Sequence, residues 1–244
     1  MITSKQNALI KEIRSLTDKK NRDELNLFVV EGSKLVKEAL ASDYSIKAIV
    51  GTEQGLALVG DFLGNRIEQV SQEVFDYIST EKSPQGVLSI VYKKENSPIK
   101  DGRCLFLDGV SDPSNVGAII RTAAASGYNC IYSCNSADPY NSKALRASMG
   151  GIFKVNFINV IREDFIQSTN MPILVADMQG VNAFDFEIDG DFCLVIGNEA
   201  NGVSSFVKSK ATHTISIPMQ NGMESLNASV SAGILMYSLA NRRK

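Results

Sequence analysis

No stretch of this 244-residue sequence approaches eighteen consecutive apolar residues, so no segment reads as a membrane-spanning helix. The opening stretch, MITSKQNALIKEIRSL, has an amphipathic helical pattern without the apolar run of a signal peptide, and a cytoplasmic address is expected. Histidine is nearly missing. The single one, His213, stands before the strand pattern TISIPM and reads as structural or exposed, so no imidazole catalysis is expected. Cys104, Cys130, Cys134 and Cys193 lack CxxC spacing and sit in apolar runs, which suits buried free thiols. No metal site is expected. Neither G-x-G-x-x-G nor G-x-x-x-x-G-K-[ST] occurs, which removes the best support for NAD or ATP binding of those kinds. Internal repeats and low-complexity tracts are absent too.

What is present is the composition of an ordinary folded chain, 44% hydrophobic and 21% charged, long enough for two modest domains or one large one. The net charge of −2 decides nothing about nucleic acid, because a local basic patch binds phosphates on an acidic protein. Near the N-terminus Lys5, Lys11, Arg14, Lys19, Lys20 and Arg22 face only Glu12 and Asp18, and the chain ends in Arg242, Arg243 and Lys244. Each cluster reads as a phosphate-binding face or as a solvated helix face, and charge counting leaves both open.

Thr3 and Gln6 have capping-box spacing, and Leu9, Ile10, Ile13 and Leu16 recur on one face, which predicts a first helix ending near Leu16. After a polar turn, LFVV reads as a buried strand, and Leu35, Val36, Ala39 and Leu40 as a helical stripe. Strand and helix signals keep alternating through IKAIV, QGLALVGDFL, RIEQV, QEVFDYI and GVLSIVY. A small α/β domain over residues 1–94 is expected. The charged segment KKENSPIKDG (93–102), with Pro98 and Gly102, reads as a linker. Over residues 103–244 short apolar strands again alternate with helices, which predicts a parallel sheet covered on both faces.

In such a sheet, ligands bind beyond the carboxyl ends of the strands, so the polar residues after each apolar run matter most. The first such loop, Asp108 to Gly117, turns on Asp112-Pro113 and opens a helix with Ser114 or Asn115 as N-cap. That helix carries Arg121 among Ile119, Ile120, Ala123 and Ala124, where an arginine needs a partner or a function. The second, Ile196 to Val203, brackets Glu199 between Gly197 and Gly202, which lets backbone amides approach a ligand. The third follows Ile217-Pro218. Here Ser225 reads as the cap of the last helix, Asn227 as a first-turn residue, and Met219 and Leu226 as pocket lining or core.

Together these loops resemble the three motifs of SpoU (TrmH-like) methyltransferases of the SPOUT superfamily. The matching residues are Asn115-x-Gly117-x-x-x-Arg121, Gly197-x-Glu199-x-x-Gly202, and Ile217-Pro218-Met219 followed by Ser225-Leu226-Asn227-x-Ser229. The resemblance covers roughly residues 103–241, and the first ninety residues look like the RNA substrate-binding domain of ribosomal RNA members. It implies a trefoil knot, a homodimer, and S-adenosyl-L-methionine (AdoMet) held by backbone around Gly197, Ile217, Met219 and Leu226. Arg121, Asn115, Glu199, Ser225 and Asn227 match positions around the reacting ribose and the methionine moiety. The implied reaction is methylation of a ribose 2′-hydroxyl, in ribosomal RNA first. The alternatives are transfer RNA, an antibiotic-resistance site on ribosomal RNA, or a non-catalytic RNA-binding assembly factor. A guanidinium is a poor base, so Arg121 is expected to orient the hydroxyl or a phosphate and to stabilise negative charge. Glu199 is expected to anchor Arg121 or the ribose, with Asn115 and Asn227 fixing these groups.

Overall fold

The computed structural model describes residues 1–60, 64–98 and 102–240. The centre of the expected linker and the terminal Arg242, Arg243 and Lys244 therefore lie outside the described residues, as does the end of QGLALVGDFL. The first part contains α1 (Ala8–Ser15), α2 (Lys19–Leu25), β1 (Leu27–Glu31), α3 (Ser33–Leu40), β2 (Ile46–Gly51), α4 (Glu53–Ala57), β3 (Ile67–Gln69), α5 (Gln72–Ile78) and β4 (Val87–Tyr92). Its four strands form one sheet in the order β1-β4-β2-β3, antiparallel except for the β2–β3 pair.

Two local expectations change. Asn7, not Thr3, caps α1, its side chain accepting from Leu9 N at 2.9 Å. The reason is that Ile2 is held against β3, donating to Gln69 O and accepting from Ser71 N, so Thr3 belongs to extended chain. The expected polar turn after Leu16 is a helix, α2, capped by Asp18. Its sequence, KKNRDEL, has no apolar stripe because its buried residue is Arg22.

The second part contains β5 (Arg103–Asp108), α6 (Pro113–Ser126), β6 (Cys130–Cys134), α7 (Ser142–Ser148), β7 (Asn156–Asn159), α8 (Arg162–Ser168), β8 (Ile173–Asn182), β9 (Phe192–Gly197), α9 (Ser205–Ser209), β10 (His213–Ser216) and α10 (Ala228–Ala240). All strands pair in parallel in the order β10-β8-β9-β5-β6-β7. Strand alternation divides the core. Leu105, Leu107, Ile131, Leu194 and Ile196 face α6 and α10, whereas Cys104, Phe106, Tyr132, Cys193 and Val195 face α8 and α9. The four cysteines are buried free thiols. No helix among the described residues is long and apolar enough to cross a membrane.

The N-terminal sheet has two apolar faces. Ala48, Val50, Leu88 and Ile90 pack under α1 and α5, while Phe28, Val30, Ile49 and Val91 belong to one continuous core with the second part. Phe28 meets Tyr140 at 4.6 Å between ring centroids, and Tyr44 meets Phe153 at 5.1 Å. Arg22, only 4% exposed, fastens this joint. Its guanidinium donates to Asp138 at 2.6 Å and to the carbonyls of Leu16 and Thr17 at 2.8 Å.

Candidate active site

β5 and β9 lie side by side at the middle of the six-stranded sheet, with β6 and β7 on one flank and β8 and β10 on the other. Such a switch in strand order opens a crevice at the carboxyl ends. The crevice is built from Asp108, the last residue of β5. One of its buried carboxylate oxygens accepts from Arg162 Nε at 2.7 Å, and the other accepts from Ser204 N at 2.8 Å, which pulls the far end of the loop after β9 inward. Within that loop, Asn198 and Gly202 exchange backbone hydrogen bonds of 3.0 and 2.9 Å. Asn198 Nδ2 also donates to Gly109 O at 2.8 Å, and its Oδ1 accepts from Ala200 N and Asn201 N at 3.0 Å. A Cβ on Gly197 would lie 2.3 Å from the Gly202 carbonyl carbon, so the narrow loop requires glycine there.

Glu199, at the tip, reaches across to the loop after β5. Its carboxylate accepts from Ser111 N at 3.1 Å, Ser111 Oγ at 2.9 Å, Asp112 N at 3.3 Å and Asn115 Nδ2 at 2.9 Å. Partial burial raises the pKa of this carboxyl, but hydrogen bonds from Asn115 and Ser111 outweigh it and bring the value down to about 2. Asn115, 7% exposed, accepts in turn from Asn227 Nδ2 at 3.0 Å. The three sequence motifs thus meet in one hydrogen-bonded row, Glu199–Asn115–Asn227.

Capping differs from expectation at both helices of the row. Asp112, not Ser114 or Asn115, caps α6, accepting from Ser114 N at 2.7 Å, which leaves the Asn115 side chain free for the row. Asn227, not Ser225, caps α10: its Oδ1 accepts from Ser229 N at 2.9 Å and Val230 N at 3.3 Å. Ser225 is exposed and stands two residues before that cap.

Beside the row lies a cleft of about 610 Å³, lined by Gly197, Ile217, Met219, Leu226 and Ser225 together with Glu199 and Asn227. Leu226 is exposed at the cleft and is no core residue. Asp177 and Lys208, which the sequence reading missed, also line it and pair at 2.5 Å. The hydrogen bond from Lys208 holds the Asp177 carboxyl below its ordinary pKa. Asp177 reaches the cleft because residues 176–180 leave the ladder: Thr214 is opposite Val175, whereas Ile215 is opposite Val181. Gly180 permits this, since a Cβ there would sit 2.5 Å from Ile215 N. The Gly180 that follows VADMQ was the available signal.

Arg121 stands apart. It is exposed, with no hydrogen bond or ion pair among the described residues, and neither Glu199 nor Asn115 anchors it. Six residues beyond Asn115, it lies about 9 Å along α6 and roughly a third of a turn round the axis. Its backbone is pressed against Gly151, where a Cβ would come 3.0 Å from the Arg121 Cα. His213 is exposed with its ring against Phe186. Among the described residues no His/Cys/Asp/Glu group has the arrangement of a metal site.

Residues 102–237 match the family model described as the SpoU rRNA methylase family, and residues 7–89 match an MRM3-like substrate-binding domain. The chain is 29% identical over 252 residues to the Bacillus subtilis 23S rRNA (guanosine(2553)-2′-O)-methyltransferase RlmP, covering 98% of each. A solved AdoMet-bound rRNA methyltransferase from Sinorhizobium meliloti superposes with a TM-score of 0.87 at 30% identity, over 97% of this chain and 95% of that one. A TrmH-family protein from Porphyromonas gingivalis superposes over the full length of both chains with a TM-score of 0.88, also at 30% identity. With a family model matching residues 102–237, more than half of the chain, and full-length likeness in fold, the chain belongs to the SpoU rRNA methylase family.

Proposed function

We propose that this chain transfers the methyl group of AdoMet to a ribose 2′-hydroxyl of ribosomal RNA. The observation that carries the reading is the convergence of all three motifs on one cleft through the Glu199–Asn115–Asn227 row. The cleft fits the cofactor. Its volume of about 610 Å³ lies in the range of small-molecule sites, and its lining joins apolar Ile196, Ile215, Ile217 and Leu235 to the exposed backbone of the glycine-bracketed loop. Gly197, Ile217, Met219 and Leu226 would hold AdoMet, which supplies an electrophilic methyl on a sulfonium centre.

The chain's own work is positioning and charge control. Glu199, ionised throughout the neutral range, fixes the loops after β5 and β9 to each other and serves as an anchor rather than a base. Asn115 and Asn227 carry that order to the start of α10, and Ser225, at the cleft rim, would face the ribose. Arg121 keeps its guanidinium unpaired for substrate, where it orients the hydroxyl or a neighbouring phosphate and stabilises the charge that develops as the proton leaves to phosphate or water.

The reading includes a homodimer. The apolar α10 packs on α6 through Gly233 and Thr122, yet Val230 and Tyr237 remain exposed on it. A second copy covering this face would bring its own Arg121, which adjoins Thr122, to the seam between the protomers. It also includes a substrate-binding domain over residues 1–94, a methyltransferase domain over 103–244, a cytoplasmic location, and the trefoil knot.

Ribose methylation mapped in ribosomal RNA from cells with and without this chain tests the proposal. The 23S nucleotide equivalent to the one named for the Bacillus relative is the first to inspect. Loss of a methyl at one nucleotide supports the reading, and an unchanged map refutes it. Calorimetry with AdoMet separates the enzyme from an RNA-binding assembly factor, which would show no heat of binding.

A further inference from the structure

The N-terminal cation cluster is largely neutralised by the fold. Lys5 pairs with Glu73, Lys19 with Asp23, Lys20 with Glu24, and Arg22 is buried on Asp138. Arg14 lies over the Tyr77 ring. Lys11 of that cluster has no carboxylate partner among the described residues, nor have Lys82 and Lys210; the unpaired lysines on the elements around the helix of Arg121 are Lys34, Lys37 and Lys143.

Lys34 and Lys37 are exposed on α3, one turn apart and opposite the buried Val36 and Ala39. Neither side chain has a hydrogen bond or ion pair among the described residues. The acid next to them, Glu38, is committed elsewhere: it pairs with Lys154 at 3.1 Å and packs on Gly150, where a Cβ would lie 2.7 Å from Glu38 Cγ. The next residue, Gly151, touches the Arg121 backbone. The Gly150–Gly151 step is therefore clamped between α3 on one side and Arg121 on the other, and any side chain at either position would wedge the two apart. Lys143 is exposed near the start of α7, the helix that runs into this step, and it too is unpaired among the described residues.

We propose that Lys34, Lys37 and Lys143 form a phosphate track that holds the RNA backbone and delivers it to Arg121. This rests on the reading of the chain as a ribosomal RNA methyltransferase. The track bridges both parts of the molecule, and the shared core around Phe28 and Tyr140 keeps its two halves in fixed relation. Phosphate-binding side chains of this kind position an RNA without reading its bases.

The test compares two variants in binding to ribosomal RNA from cells lacking this protein, across a salt series. One is Lys34→Gln/Lys37→Gln/Lys143→Gln, and the control is Lys5→Gln/Lys19→Gln/Lys20→Gln. At ~0.15 M salt, removing one lysine–phosphate interaction should weaken binding about four- to five-fold, so the track variant should bind on the order of 100-fold more weakly and its log–log salt slope should flatten by about 2 to 3. Its AdoMet affinity and melting temperature should match the wild type, and the control should bind within about two-fold of it. If the wild type binds and methylates this RNA and the track variant keeps the same affinity and slope, the track is wrong and the enzymatic reading survives. If the wild type neither binds nor methylates it, the enzymatic reading falls and the track with it.

Discussion

Asn115→Asp tests whether the row at the active site works through its hydrogen bonds. In the native protein the Asn115 amide nitrogen donates to Glu199 at 2.9 Å, while its oxygen accepts from Asn227 at 3.0 Å. The substitution keeps the acceptor toward Asn227 and replaces the donor toward Glu199 by a carboxylate oxygen. Two unit charges at that separation repel by roughly 1.5 to 6 kcal/mol for effective dielectric constants between about 80 and 20. That is about one to four pK units, so the carboxylate pair should hold one shared proton up to an apparent pKa of about 5 to 8. Native Glu199, with its pKa lowered to about 2, stays charged well below that window, so the intact row contributes no pH dependence there. In the variant, the shared proton restores a hydrogen bond at the acid end, and the bond is lost as pH rises through the raised pKa. AdoMet affinity and methyl incorporation, each as a ratio to wild type, should be near native at pH ~5 and fall at least about tenfold by pH ~8.5. Asn115→Ala, which removes both hydrogen bonds, should be weak at every pH. A flat ratio for Asn115→Asp across that range would refute the assigned amide orientation and the coupling of Asn115 to Glu199.

Arg121→Ala should lower methyl transfer by about 100-fold or more while AdoMet affinity stays within a few-fold, and Arg121→Lys should rescue little because an ammonium lacks the planar fork. Equal losses of binding and rate would move Arg121 to the cofactor. Gly197→Ala forces a Cβ to 2.3 Å from the Gly202 carbonyl carbon, so calorimetry should find AdoMet binding abolished in a protein that still folds. Arg22→Ala leaves Asp138 without its buried partner at the joint of the two parts and should cost about 3–5 kcal/mol in denaturant unfolding. A loss below about 1 kcal/mol would show that the joint is held by the aromatic cluster alone.

Periodicity and spacing recovered the two α/β parts, the strands and most helices, because each buries an apolar face whose period is visible locally. Helix α2 escaped because its inward residue is an arginine, and the partner that makes this tolerable, Asp138, is 116 residues away. The caps failed for a related reason. Asp112, Ser114 and Asn115 all suit an N-cap, and what decides among them is that Asn115 is claimed from outside by Glu199 and Asn227. Asp177 was missed because its place at the cleft depends on a break in pairing between β8 and β10, whose one signal, Gly180, lies beyond the PILVAD run read as the strand.

The same logic separates the two kinds of functional residue in this chain. Glu199, Asn115 and Asn227 were legible as motif members, and the expectation that the two asparagines fix their neighbours agrees with their hydrogen bonds, whereas the place of Glu199 was not foreseen. Glu199 was expected on Arg121 or the ribose; its carboxylate is held by the loop after β5 and by Asn115, and Arg121 has no acidic partner among the described residues. Charge counting at the N-terminus left two readings open, and the fold adds that four of its six cations have carboxylate partners, Lys5 and Arg22 on other elements and Lys19 and Lys20 within α2. A cation's value for an RNA phosphate depends on what the fold leaves unneutralised, and that is a property of tertiary pairing. By this measure Arg121, Lys34, Lys37 and Lys143, scattered over 110 residues of sequence, are the cations that the proposed phosphate track would use.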